Sequence, residues 1–139
     1  MSAATDNLNI ASNNALITPQ SLTAELPLTG LALDSVQLAR NTIFSILDRK
    51  DPRLIVVVGP CSIHDTEAAL DYARRLKKLA DAVKGTLVIV MRVYFEKPRT
   101  VVGWKGLIND PDIDSSFNIN KGLAQARKLL LDITKWALA

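Results

Sequence analysis

Two polar loops that follow apolar runs carry most of the residues that could do chemistry. The first loop, 59–65, has the sequence Gly-Pro-Cys-Ser-Ile-His-Asp and contains Cys61 and His64. Cys-x-x-His is one possible metal-ligand spacing, but the sequence contains no second Cys or His, so it predicts zinc only weakly. The alternatives are a buried core thiol at Cys61 and a solvent-facing side chain at His64.

The second loop, 91–105, gathers positive charge. It contains one acidic residue, Glu96, and four basic residues, Arg92, Lys97, Arg99 and Lys105. Arg binds phosphate and carboxylate groups through two hydrogen bonds and Lys supplies a mobile charge, so the loop predicts an anionic small molecule as partner. Aromatic residues lie between the basic ones, at Tyr94, Phe95 and Trp104. One alternative is a nucleic-acid partner whose bases stack on these rings. The other is a solvated charged loop whose aromatic side chains fill a core.

Apolar strands and amphipathic helices must position these loops. The runs 54–58 and 87–91 are apolar at every position, which is typical of parallel strands buried on both faces. Three helices are predicted, each beginning after a capping side chain, and a short helical turn is predicted at 21–25. The three caps are Asp34, Asp65 and Asn118, and the helices end near Leu47, before Gly85 and near Ile133.

The alternation of helix and strand predicts an α/β fold with parallel strands. Two strands cannot supply the neighbours that a strand buried on both faces needs, so the chain is expected to form the opening of a larger α/β domain. The alternative is a small βαβ module that covers its edges by oligomerising. The domain is predicted over 34–139, after a largely irregular arm, 1–33, whose residues 1–16 are disordered or docked on a partner.

Composition narrows the class of protein. The 139 residues include 17 Lys and Arg and 14 Asp and Glu, a net charge of +3, which is too small an excess for a typical nucleic-acid-binding surface. The longest apolar runs, of five residues, exclude a membrane-spanning helix. Residues 1–33 contain no Lys or Arg, so no secretory signal or transit peptide is expected, and the cytoplasm is the predicted location.

Four sequence blocks closely resemble the type I 3-deoxy-D-arabino-heptulosonate 7-phosphate (DAHP) synthases. They are GPCSIHD at 59–65, MRVYFEKPRT at 91–100, VGWKGLINDP at 102–111 and ARKLLL at 126–131. The resemblance covers about 34–133. It extends weakly to ITPQSL at 17–22, which is most similar to the tyrosine-sensitive branch.

The resemblance implies a (β/α)8 TIM barrel, of which this chain would hold the first two strand–helix units. It implies a transferase that joins phosphoenolpyruvate (PEP) to erythrose 4-phosphate and releases phosphate, the first step of the shikimate and chorismate pathway to the aromatic amino acids. By the same resemblance the whole enzyme would be a homo-oligomer, open to feedback inhibition by an aromatic amino acid, with no membrane or nucleic-acid partner.

The matching motifs also imply roles for individual residues. Arg92 would bind the PEP phosphate, Lys97 would lie between the two substrates, and Pro98, Arg99 and Thr100 would hold erythrose 4-phosphate. Lys105 would support the PEP side. Cys61 would be a ligand of a divalent metal ion (Mn, Fe, Co or Zn) that polarises the aldehyde carbonyl attacked by C3 of PEP, and His64 would lie near the site without being a ligand.

The sequence departs from the family after Ile133, where TKWALA replaces the turn into a third strand. The remaining metal ligands of the family, a His, a Glu and an Asp, are therefore expected to be absent, and this chain alone is expected to be inactive. Two other functions stay open. The chain could be a non-catalytic fragment that docks on full-length synthase subunits, or a small module that binds anions or nucleic acid.

Overall fold

The computed structural model describes residues 9–10, 12–97 and 102–136. These residues form a mixed α/β structure with a two-stranded sheet and four helices. The elements, in chain order, are α1 (Pro19–Glu25), α2 (Gly30–Leu47), β1 (Leu54–Val58), α3 (Thr66–Val83), β2 (Leu87–Met91) and α4 (Ile119–Thr134).

The two strands lie side by side and run parallel, as the sequence predicts. Leu54 pairs with Leu87, and the register continues to the pairing of Val58 with Met91. The backbone NH of Arg92 donates to Val58 O at 2.9 Å, so the pairing extends one residue beyond the last strand position. The loops that follow β1 and β2 therefore begin next to each other.

Capping side chains start two of the predicted helices. The Asp65 carboxylate accepts hydrogen bonds from two backbone NH groups in the first turn of α3, and Asn118 accepts one in the first turn of α4. The predicted start of α2 at Asp34 is wrong, because the helix begins at Gly30, one turn earlier. Leu31, Ala32 and Leu33 favour helix, so they extend it beyond the expected cap.

One face of the sheet carries the core. Helices α3 and α4 pack with β2 through small and branched apolar side chains, and the loop after β2 adds Phe95 and Leu107 to the same cluster. The buried helix and strand residues of this cluster are Ala69, Ala73, Leu76, Ile89, Met91, Ala126, Leu129 and Ile133.

β1 is largely uncovered in the described structure, as expected of an apolar strand in the opening of a larger α/β domain. Leu54 and Val57 keep 67% and 64% of their surface exposed, whereas Ile89 in β2 is buried. The sheet has two strands in the order β1-β2, so the outer edge of β1 has no partner strand among the residues described. Large apolar side chains of α2 are also exposed, among them Leu38, Phe44 and Leu47.

The described part of the N-terminal arm docks on α4. The Asn120 side chain accepts a hydrogen bond from the backbone NH of Ile17 at 2.8 Å and donates one to Ala15 O at 3.1 Å. Arg127 Nε donates to Leu26 O at 3.1 Å. The arm is thus fixed by side chains of a helix that lies about a hundred residues later in the sequence. None of the described helices has the length and apolar composition needed to cross a membrane.

Candidate functional site

The loops after β1 and β2 touch at Gly59. A Cβ built on this residue would lie 2.3 Å from Arg92 O and 3.0 Å from Arg92 Cβ. Only glycine lets these two backbone segments approach so closely without a shift of the backbone. The close approach brings Cys61 and Arg92, which come from different loops, to the same end of the sheet.

Arg92 extends from the end of β2 and its side chain is exposed. The guanidinium carbon lies 4.9 Å from the centroid of the Tyr94 ring, and Nη1 donates to Pro60 O at 3.3 Å. The Tyr94 backbone oxygen accepts a hydrogen bond from Ile63 NH at 2.8 Å. Arg92 therefore has contacts with both loops, and the described residues form no ion pair with it.

Lys97, in the loop after β2, contacts Cys61, in the loop after β1. Lys97 Nζ lies 3.7 Å from Cys61 Sγ. The Cys61 thiol is exposed, so the alternative of a buried core cysteine is wrong. An ammonium group, a guanidinium group and a thiol thus come from two short loops, and the two cations can offer charged hydrogen bonds to phosphate or carboxylate oxygens.

A backbone bridge folds the second loop back on itself. Glu96 and Gly106 form an antiparallel bridge, Lys97 NH donates to Lys105 O at 2.9 Å, and Leu107 NH donates to Phe95 O at 2.8 Å. Gly106 has φ +121°, and a Cβ there would lie 2.1 Å from Phe95 O. The backbone of Lys105 therefore lies next to the backbone of Lys97.

Asp110 fixes the far end of this loop, a role that sequence reasoning missed. The residue is 4% exposed, its Oδ2 accepts a hydrogen bond from Ser115 NH at 3.2 Å, and its backbone oxygen accepts one from Trp104 Nε1 at 2.7 Å. An acid followed by Pro111 is a turn signal in the sequence. That signal predicts the turn but not the burial of the carboxylate.

The three aromatic residues of the loop have separate surroundings. Phe95 is buried in the core, Trp104 is half-buried with its indole NH donated to a carbonyl, and Tyr94 packs on Arg92. They therefore form no shared platform for stacked bases. This arrangement favours the anionic small molecule over nucleic acid as the partner of the loop.

The remaining predicted site residues divide into two groups. Pro98, Arg99 and Thr100 lie outside the described residues. His64 is exposed in the loop after β1, as its solvent-facing interpretation predicts. Within the described ranges, no group of three His, Cys, Asp or Glu side chains is close enough to hold a metal ion. Cys61 offers one ligand, which is too few for a specific metal site.

Comparison with known proteins gives one consistent result. The sequence model of the DAHP synthetase I family matches residues 20–134. The chain is 54% identical over 134 residues to the Trp-sensitive phospho-2-dehydro-3-deoxyheptonate aldolase of Enterobacter agglomerans, covering 96% of this chain and 38% of that protein. It is 53% identical to the Tyr-sensitive enzyme of Escherichia coli K12, covering 97% and 38%, and 57% identical to the Phe-sensitive enzyme of that strain, covering 92% and 37%.

A solved structure agrees with the sequence comparisons. Phospho-2-dehydro-3-deoxyheptonate aldolase from Francisella tularensis SCHU S4 superposes with a TM-score of 0.86 at 48% identity, covering 94% of this chain and 38% of that one. This chain thus spans little more than a third of the length of these relatives, and its match lies in their N-terminal part. Since the family match covers most of the chain, and both sequence and structure support it, this chain belongs to the DAHP synthetase I family.

Proposed function

We propose that this chain supplies the first two strand–helix units of a (β/α)8 barrel that joins PEP to erythrose 4-phosphate and releases phosphate, giving DAHP. Two contacts between the loops at the carboxyl ends of the parallel strands carry the proposal: Arg92 Nη1 with Pro60 O, and Lys97 Nζ with Cys61 Sγ. Active sites of such barrels lie at that end, in the loops that follow the strands.

The described geometry supports separate roles for the two cations. Arg92 is exposed, forms no ion pair among the described residues and can offer its guanidinium to the PEP phosphate. Lys97 lies beside Cys61 and, in the proposal, sits between the two substrates. The proposal gives Pro98, Arg99 and Thr100 to erythrose 4-phosphate and Lys105 to the PEP side.

Cys61 is proposed as one ligand of a divalent metal ion. The other described residues do not complete a coordination shell around it, so further ligands must come from outside the described part of this chain. Arg92 and Lys97 bind and orient anionic groups, and this role does not depend on the identity of the metal.

The uncovered surface of β1 supports the larger barrel. The outer edge of β1 has no strand beside it in the described structure, and Leu54 and Val57 are largely exposed. Burial of such side chains stabilises a protein by about 1.5–3 kcal/mol each. The rest of a barrel would place a strand beside β1 and side chains over both of its faces, and so cover them. The same surface favours a second candidate function, in which the chain docks on full-length synthase subunits without catalysis.

The proposal extends to regulation, assembly and location. The relatives are named Trp-, Tyr- and Phe-sensitive, and we infer that an aromatic amino acid controls the complete protein, a cytoplasmic homo-oligomer. The three identities lie between 53% and 57%, so they favour none of the three amino acids, including the tyrosine indicated by residues 17–22.

A fusion protein tests the proposal. Residues 1–134 of this chain are joined to the part of the E. coli Tyr-sensitive relative that follows its matching segment, and DAHP formation is measured with Mn²⁺ and both substrates. We expect Arg92→Ala to lower kcat/KM for PEP at least about tenfold, because a charge-assisted hydrogen bond to phosphate contributes about 1.5–3 kcal/mol. Lys97→Ala should behave similarly.

Arg75→Ala is the matched control. The Arg75 side chain is 79% exposed on α3 and, within the described ranges, its ion pair is with Asp71. Its loss should therefore change stability by less than about 0.5 kcal/mol and leave kcat/KM unchanged. Equal, mild effects of Arg92→Ala and Arg75→Ala would contradict the anion site.

A further inference from the structure

We propose that Tyr94 is a positioning residue, whose ring holds the Arg92 guanidinium in the orientation that binds the anionic substrate. The inference deepens the proposed function and rests on it, because it needs Arg92 to bind PEP. Neither the charge of the loop nor its spacing predicts this role. It comes from the contact between the two side chains.

The ring is the main contact that orders Arg92. The guanidinium carbon lies 4.9 Å from the Tyr94 ring centroid, inside the range of about 6 Å for a cation–π interaction. The hydrogen bond from Nη1 to Pro60 O is 3.3 Å, beyond the usual length of an N–H···O bond. An exposed arginine otherwise has many accessible rotamers, and ordering it costs conformational entropy.

The ring itself is held by a fixed backbone. The Tyr94 carbonyl accepts a hydrogen bond from Ile63 NH at 2.8 Å, and Ile63 is 3% exposed. The next residue along the chain, Phe95, is also buried in the core. Tyr94 therefore links the loop after β1 to the loop after β2 through its backbone, while its ring lies against Arg92.

A ring can orient a guanidinium without occupying its hydrogen-bond donors. The five N–H groups of arginine lie in the guanidinium plane, whereas an aromatic ring packs on its face. A carboxylate partner would instead use the donors that phosphate needs, and no carboxylate in the described residues pairs with Arg92. The Tyr94 contact thus orders Arg92 and leaves available the donors that are not directed at Pro60 O.

The first test uses the full 139-residue chain and the NMR signals of the arginine Nε–Hε groups. Loss of the ring in Tyr94→Leu should move the Arg92 signal, because a ring current acts on the group packed against it, while Tyr94→Phe should leave it nearly unchanged. Trp136→Leu is the control, since Trp136 packs 5.2 Å from the Arg74 guanidinium and should move the Arg74 signal only. An Arg92 signal at the same position in Tyr94→Leu as in the parent chain would overturn the proposal.

The second test uses the fusion protein and separates the two substrates. Tyr94→Leu should raise KM for PEP about threefold to thirtyfold, the range of a cation–π contact, with less than about a twofold change in KM for erythrose 4-phosphate. Tyr94→Phe should restore KM for PEP. Tyr94→Gln serves as the ring-free variant if Tyr94→Leu lowers the melting temperature.

The outcomes distinguish the inference from the proposed function. If Arg92→Ala lowers kcat/KM for PEP while the ring-free variants leave KM for PEP unchanged, the positioning role is wrong and the anion site stands. Equal rises in KM for both substrates, not restored by Tyr94→Phe, would mean a general structural role and would also overturn the inference. If Arg92→Ala itself has no effect on PEP, the proposed function fails first.

Discussion

Gly59 lies where the loop after β1 packs tightly against Arg92, at the end of β2. Its neighbours are backbone atoms and the Cβ of Arg92, which cannot move aside as a flexible side chain would. The residue therefore controls how near Cys61 comes to the cations of the second loop. A Gly-Pro pair after a strand predicts a turn, but only the structure reveals the atoms opposite Gly59.

We expect Gly59→Ala to destabilise the chain by about 1–3 kcal/mol, because the new methyl group would lie 2.3 Å from Arg92 O and must push the two loops apart. Urea unfolding followed by circular dichroism measures the change.

Gly85→Ala is the matched control, since nothing lies within 4 Å of a Cβ there. Its effect should stay below about 1 kcal/mol. Equal losses of stability in the two variants would contradict the close contact at Gly59.

At the scale of elements, the sequence predicts the strands and the long helices well. Continuous apolar runs bounded by turn residues locate β1 and β2 at their observed limits, and side chains at Asp65 and Asn118 cap their helices as predicted. The start of α2 was missed because helix propensity in residues 31–33 outweighed a capping signal. The exposure of β1 follows from the sequence, because two apolar strands cannot supply the neighbours that burial on both faces needs.

The sequence predicts which loops form the candidate site, but not all of the contacts within it. Parallel strands bring their carboxyl ends together, so the proximity of Cys61 to Lys97 follows from residue type and strand position. The contact of Tyr94 with Arg92 and the burial of Asp110 do not follow. Each depends on how the second loop turns back on itself, which tertiary packing decides.

The arm gives a prediction for one element alone. Asn120→Ala removes both hydrogen bonds to the backbone of Ala15 and Ile17. Amide hydrogen exchange at Ile17 should then accelerate at least about fivefold, because each of the two lost hydrogen bonds contributes about 0.5–1.5 kcal/mol.

Lys121→Ala, which removes the ion pair with Asp112, should leave the exchange rate at Ile17 unchanged. The same acceleration in both variants would mean that the first turn of α4, and not the Asn120 side chain, holds the arm.

A carboxylate at the amino end of β1 should make stability depend on pH. Arg53 donates three side-chain hydrogen bonds to Asp51, at 2.6–3.1 Å, and a fourth to Lys84 O, so the pair fastens the end of α3 to the start of β1. These hydrogen bonds from Arg53 hold the pKa of Asp51 below its ordinary value of 3.8. A lowered pKa stabilises the fold above the pKa of the unfolded chain, and the contribution is lost as the pH falls below about 3.8.

We therefore expect Asp51→Asn to be less stable than the parent chain at pH 7, with a difference that shrinks below about pH 3.8. Urea midpoints across the pH range measure it. Asp48→Asn is the control, since its ion pair with Lys50 is largely exposed and should contribute little at any pH. A difference for Asp51→Asn that stays constant down to about pH 2 would contradict the role of the ionised pair.

At the scale of the whole molecule, chemistry and packing lead to the same conclusion. The described residues bring two cations and a thiol to one end of a two-stranded sheet, yet they supply one metal ligand and leave the outer edge of β1 without a strand. Relatives of which this chain spans about 38% have a longer chain after the matching segment. The barrel proposed above would complete the site and cover the strand together.

Turnover by the 139-residue chain, measured beside turnover by the fusion protein, decides whether the chain is one part of a barrel enzyme. With Mn²⁺, PEP and erythrose 4-phosphate supplied, we expect no DAHP from the chain alone and steady production from the fusion, lost when Cys61 is replaced by Ala. DAHP from the chain alone that Cys61→Ala abolishes would contradict the proposed function. A fusion that melts cooperatively and still forms no DAHP would contradict it equally.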